Sequence, residues 1–312
     1  MPNSHAREPH MNRTRITTER LCAEIGDVGA QLCSLRGRAA DGTEREVLWD
    51  AGEPWAWHAP LLFPVIGRLP CDTLTHDGAG LAMPKHGFAR DQRFRTLRAG
   101  VDGVVLELTD TPSTRRHFPF PFRVTADFGI EEDRLRIRHT VENPGPRPLS
   151  CSLGLHPGFC RPLPGAASRA GHRIVFAEPE TAPVRRVDAD LLTPESMPTP
   201  VRGRELLIGD ELFTDGALVF DVLRSRALTY TAPGTPELRL AWEGFEQLAV
   251  WAPLGAELLC IEPWYGLPAP ADAPSPTAEG LGPAPAGAGR TPHLHDGHHC
   301  PWLTPVPEVR SV

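Results

Sequence analysis

From residue 20 to about 262 the chain is a succession of short apolar and polar alternations, interrupted by Gly, Pro, Asn and Asp. A period of two places successive side chains on opposite faces of an extended strand, so each run predicts a strand with one buried face. The clearest runs cover 20–25, 31–35, 103–108, 123–130, 134–141, 217–220, 227–231, 237–242 and 247–251. Runs 123–130 and 134–141 bracket Glu131, Glu132 and Asp133, a polar stretch that reads as a hairpin loop. No helical stripe of 12 or more residues interrupts the series, which argues against alternating βαβ units. Many short strands in one long domain predict an all-β antiparallel sandwich or barrel.

Composition sets the edges of this domain. Residues 1–15 have no periodic pattern and are expected to be a loose extension, with the folded body covering 16–268. From Pro268 the chain turns to Pro, Ala and Gly and then to HLHDGHHCPW, too poor in apolar surface to offset the entropy of ordering. Residues 269–312 are therefore expected to form a mobile tail. With 32 Lys+Arg against 39 Asp+Glu, the net charge of −7 disfavours nucleic acid and anionic membranes as partners and leaves a small polar ligand. No apolar run approaches a membrane span, and seven scattered cysteines form no C-x-x-C pair, so a reducing cytoplasm is the expected home.

Three segments concentrate reactive side chains among glycines and aromatics. They are Ala59–Leu69 with Pro84–Asp91 (APLLFPVIGRL, PKHGFARD), Ser152–Phe159 (SLGLHPGF) and Cys260–Gly266 (CIEPWYG). Taken singly, His86 and His156 fit structural histidines better than catalysts. Glu262 says more. It follows the apolar Leu258-Leu259-Cys260-Ile261 and precedes Pro-Trp, so its carboxylate is expected at a strand end beside an indole. Such a group is either ion-paired with an arginine or has a raised pKa that suits a general base.

Taken together, in this order and spacing, the segments resemble the aldose 1-epimerase (galactose mutarotase-like) family, in its branch with H-G-F-A-R and E-P-W signatures. The resemblance implies a single-domain antiparallel β super-sandwich with a sugar cleft on a concave face. It also implies interconversion of α and β anomers by acid–base ring opening, with no cofactor and no metal. By the same resemblance Glu262 matches the general base, His156 the general acid and His86 an assisting histidine. Arg68 and Arg90 match cleft arginines, and Trp264 either walls the sugar or packs in the core. The expected partner is a small sugar, and the chain is expected to be a monomer or weak homodimer.

Two departures stand out. The resemblance implies a cleft aspartate that binds sugar hydroxyls, directly before Ala-Leu in relatives; its nearest counterpart here is Asp215, set back by one because Gly216 occupies that place. A one-residue shift reverses the face in a strand, whereas a glycine-assisted bulge restores it. Relatives also continue past E-P-W into a final strand that this sequence lacks, leaving either an open sheet edge or an irregular substitute from the tail. The cluster His293, His295, His298, His299 and Cys300 lies in the low-complexity tail and reads as adventitious for metals. A hexose-phosphate mutarotase and a non-catalytic sugar-binding protein of the same fold remain open alternatives.

Overall fold

The computed structural model describes residues 11–39 and 42–281. Its regular structure is antiparallel β, and the only helices among the described residues are short 3-10 turns. The expected runs are strands with boundaries moved by a few residues. Arg123–Glu131 pairs with Arg134–Glu142 along its whole length, and Glu131 still faces Arg134. The turn is therefore only Glu132 and Asp133. The inward row of this hairpin (Val124, Ala126, Phe128, Ile130, Leu135, Ile137, Val141) is buried. Each large apolar side chain in it contributes about 1.5–3 kcal/mol of burial free energy.

Two four-stranded meanders follow chain order. One runs Arg13–Thr17, Leu21–Gly26, Leu32–Arg38 and Glu44–Glu46, the other Arg95–Ala99, Gly103–Thr109, Arg123–Glu131 and Arg134–Glu142. The first strand thus begins three residues ahead of the expected start of the body. The largest sheet is not in chain order: Leu191–Met197, Val184–Asp188, Leu218–Phe220, Gln247–Trp251, Leu258–Tyr265, Leu153–Leu155 and Leu61–Leu62 lie side by side, and Gly158–Cys160 also pairs with Leu258–Tyr265.

Leu258–Tyr265 lies inside that sheet and is buried on both faces, which explains its near-continuous apolar run. Its alternation is strict. Leu259 and Ile261 point into the main core, whereas Cys260 and Trp264 pack in two smaller clusters. Glu262 shares the parity of Cys260 and Trp264.

The beginning of the expected mobile tail folds back onto the body. Leu192 N–H donates to Ala269 O, Ala271 N–H to Leu192 O and Thr75 N–H to Pro276 O, while Ala278 is fully buried. This strap, irregular rather than a strand, covers the Leu191–Met197 edge and the Thr73–His76 hairpin strand. Composition hid it because backbone donors and acceptors bond whatever their side chains. Residues 1–10 and 282–312, with the His293–Cys300 cluster, lie outside the described residues. No helix among the described residues is long and apolar enough to cross a membrane.

Candidate active site

Strand register brings the second and third sequence segments together. Gly154 faces Trp264 and Gly158 faces Cys260. The residue midway on each side, His156 and Glu262, is thus aligned across the same antiparallel pair, on the same face. The ladder is interrupted there by His156-Pro157, and His156 Nε2 lies 3.3 Å from Glu262 Oε2. Glu262 is therefore mid-strand, not at the strand end that Pro263 suggested. Ile261 N–H reaches Pro157 O. Two residues on, Pro263 presents its nitrogen, which has no hydrogen to donate, along the same edge beside the interruption.

The flanking glycines make room. A Cβ on Gly154 would lie 2.8 Å from Trp264 Cδ1, and one on Gly158 would lie 2.9 Å from Trp55 Cζ3. With those positions empty, Trp55 stacks on the His156 ring at 4.8 Å between centroids, and Trp251 meets that ring edge-on at 6.0 Å.

His86 enters from a separate loop. Its backbone N–H donates to Gly67 O at 2.7 Å, and Gly67 N–H donates to His86 Nδ1 at 3.0 Å. With Nδ1 accepting, the proton of neutral His86 sits on Nε2. This clasp bends the chain through left-handed backbone at Gly67, His86 and Gly87. At Gly87 a Cβ would lie 2.1 Å from Phe63 O, which only glycine avoids. The His86 ring then meets His156 edge-on at 5.6 Å.

These groups line a cavity of about 400 Å³ with Trp55, Trp57, Lys85, Arg90, Asp190, Trp251 and Trp264. Lys85 Nζ donates to Asp190 Oδ1 at 2.6 Å, while Arg90 donates to Lys85 O and lies over the Trp57 ring at 4.8 Å. Burial, opposed by Lys85 and the Trp264 indole, pushes the Glu262 carboxyl well above the usual carboxylate range. Burial pushes His156 and His86 down, and Lys85 and Arg90 push both in the same direction. His86 is lowered further by His156. Both imidazoles are accordingly neutral at pH 7.

The structure thus brings Glu262, His156, His86, Arg90 and Trp264 into one cavity. Arg68 stays at its rim: its guanidinium donates to Asp72 at 3.0 Å and lies 3.7 Å from Asp190, and Gly67 rather than Arg68 lines the cavity. Asp215 is exposed, in a turn rather than a strand, so its side chain is not set by strand parity. Gly216 (φ 82°) makes that turn, and Gly216 and Ala217 line the cavity in place of the acid. Asp190, Trp55, Trp57 and Trp251 were not singled out from the sequence. The one local sign was the W-A-W-H spacing at 55–58, and nothing near residue 190 marks an acid that reaches Lys85 from 105 positions away.

Residues 13–269 match the family described as Aldose 1-epimerase. Protein LacX of Lactococcus lactis is 24% identical over 265 residues, which cover 81% of this chain and 87% of that protein. A solved galactose mutarotase related enzyme from Lactobacillus acidophilus is 25% identical with a TM-score of 0.78, covering 85% of this chain and 89% of its own. A galactose mutarotase-like protein from Lactobacillus casei is also 25% identical, with a TM-score of 0.76 and coverage of 86% and 92%.

Proposed function

The chain belongs to the aldose 1-epimerase family, and on that footing we propose that it interconverts the α and β anomers of an aldohexose by acid–base opening and reclosure of the pyranose ring. The observation that carries this reading is the buried pair His156–Glu262, 3.3 Å apart at the wall of a cavity of about 400 Å³. One proton shared between these atoms is enough for the chemistry. Transfer of that proton from the Glu262 carboxyl to the resting, neutral His156 across the 3.3 Å contact gives a carboxylate–imidazolium pair, in which Glu262 takes the proton of the anomeric O1–H while His156 gives its proton to the ring oxygen O5. The C1–O5 bond breaks and an open aldehyde forms. After rotation about C1–C2, O5 attacks the opposite face of C1, His156 recovers the O5 proton and Glu262 returns its own to O1. The raised pKa of Glu262 brings the base toward neutral pH, where such a group is most effective.

His86, with its Nε2–H directed by the Gly67 clasp, donates a hydrogen bond to the oxygen that carries developing charge. Trp264 and Trp251 offer apolar faces to sugar C–H groups. A free aldohexose fits better than an aldose phosphate, because the cavity cations are already engaged, Lys85 by Asp190 and Arg90 by Lys85 O and the Trp57 face.

Polarimetry of freshly dissolved α-glucose and α-galactose, with and without the protein, tests the reading. Acceleration is expected for at least one. Glu262→Gln is expected to lose turnover by about 10²-fold or more while still binding sugar. Absence of acceleration for any aldose would leave a sugar-binding protein, and undiminished turnover in Glu262→Gln would refute the assignment of the base.

A further inference from the structure

One reactive group on the same face has no part in this chemistry. Cys260 precedes Glu262 by two residues and points to the same side of the strand. Its thiol is fully buried, and burial together with the Glu262 carboxylate holds its proton on. The donor atoms of His156, Cys260 and Glu262 lie within 4.8 Å of one another, and all three residues are buried. We propose that these three side chains form a binding site for a borderline-soft divalent cation of the Zn²⁺ type, which occupies the acid–base pair and excludes sugar. Binding of the cation stands on this geometry alone; its effect as an inhibitor rests on the catalytic reading above.

Imidazole nitrogen, thiolate and carboxylate are the three donor types that zinc takes. The His156–Glu262 separation of 3.3 Å equals one edge of a tetrahedron with metal–ligand bonds of about 2.05 Å. The sulfur has to approach by about 1 Å to complete a third corner, within reach of a rotation about its Cα–Cβ bond. Trp49, Trp55 and Trp251 pack against the small apolar cluster of Ala256, Leu258 and Cys260. His156 and Glu262 line the cavity, so a water from that side would complete the fourth position. Lys85, the cation that acts on both His156 and Glu262, is balanced by Asp190 at 2.6 Å. Coordination changes no oxidation state: the thiol proton, and the carboxyl proton where Glu262 carries one, leave to solvent as the metal enters.

The test is titration of the chelator-treated full-length protein with Co²⁺, a spectroscopic stand-in for Zn²⁺. A near-ultraviolet thiolate-to-cobalt absorption is expected, lost on adding Zn²⁺ and absent in Cys260→Ser. Zn²⁺ should slow anomer equilibration in the wild type, with chelator restoring the rate, and Cys260→Ser should need roughly tenfold more Zn²⁺ or greater for the same effect. Should Cys260→Ser fail to fold, Glu262→Gln is read by the same absorption, expected to weaken. A band that persists in Cys260→Ser belongs to other donors, such as the His293–Cys300 cluster of the tail, and overturns the proposal. So does equal Zn²⁺ sensitivity of the wild type and Cys260→Ser. The absorption decides the site even if no sugar is turned over.

Discussion

His156, in the break between strands Leu153–Leu155 and Gly158–Cys160, and His139, within strand Arg134–Glu142, are both buried imidazoles, and burial lowers the pKa of both. Their surroundings differ in kind. His156 faces a carboxylate at 3.3 Å and an open cavity. His139 occupies an inward position of the Arg123–Glu142 hairpin, against Phe128, with no protein hydrogen-bond partner for either ring nitrogen among the described residues. It adjoins an apolar internal space bounded by Leu155, Pro157 and Pro263, the residues directly flanking His156 and Glu262. The sheet thus has one chemically equipped face and one hydrocarbon face a single peptide apart. Burial alone makes an imidazole neutral; on the proposed function, the facing carboxylate and the open cavity are what would make His156 reactive.

The largest expected effect breaks the symmetry of the two histidines. His156→Gln should lower anomer turnover by about 10²-fold or more, measured by polarimetry, whereas His139→Leu should leave it within about twofold. An equal loss in both variants would reduce His156 to a packing residue.

A stability measurement sharpens the other side. Burial depresses His139 from 6.5 to about 4. The neutral ring is the form that folds, so stability is intact above pH 6.5 and falls as pH drops toward 4, because the unfolded chain takes up the proton first. The total is about 3 kcal/mol at ~1.4 kcal/mol per pH unit. Urea unfolding at several pH values should show this component in the wild type and not in His139→Leu.

Gly154→Ala probes the small residue beside Trp264. The added methyl forces the indole aside, costing about 1–3 kcal/mol and raising KM for the sugar more than it lowers kcat. Lys85→Met removes a positive charge that lowers Glu262. The acid limb of the pH profile of kcat/KM, which follows deprotonation of Glu262, should therefore move to higher pH. The smallest effect is expected for Asp215→Asn, exposed and outside the cavity lining, with turnover within about twofold and stability within about 0.5 kcal/mol.

The two histidines also show why some of this was legible in the sequence. Alternation of period two exposes strands such as Arg123–Glu131 because each inward position must be apolar to be buried. His139 hides in that pattern as one polar letter. Glu262 was legible as an acid after an apolar strand, but its position within the strand was not: Pro263 resembles a terminator, and only the break at His156-Pro157 beside it shows why the strand continues. Trp55 and Trp57 reach the cavity from the long connection between Glu44–Glu46 and Leu61–Leu62, and Asp190 from the two-residue turn between Val184–Asp188 and Leu191–Met197; no local pattern encodes such contacts.

By itself, the sequence determined the all-β class, most strands and the segments that carry Glu262, His156 and His86, since these depend on local periodicity and residue type. Tertiary structure decided the pairing of residues 156 and 262 across one register, the exclusion of Asp215 and Arg68 from the cavity lining, the Lys85–Asp190 pair and the strap at 269–281. The physical reason is that register, burial and charge pairing are properties of segments far apart in the chain, set only when the sheets close.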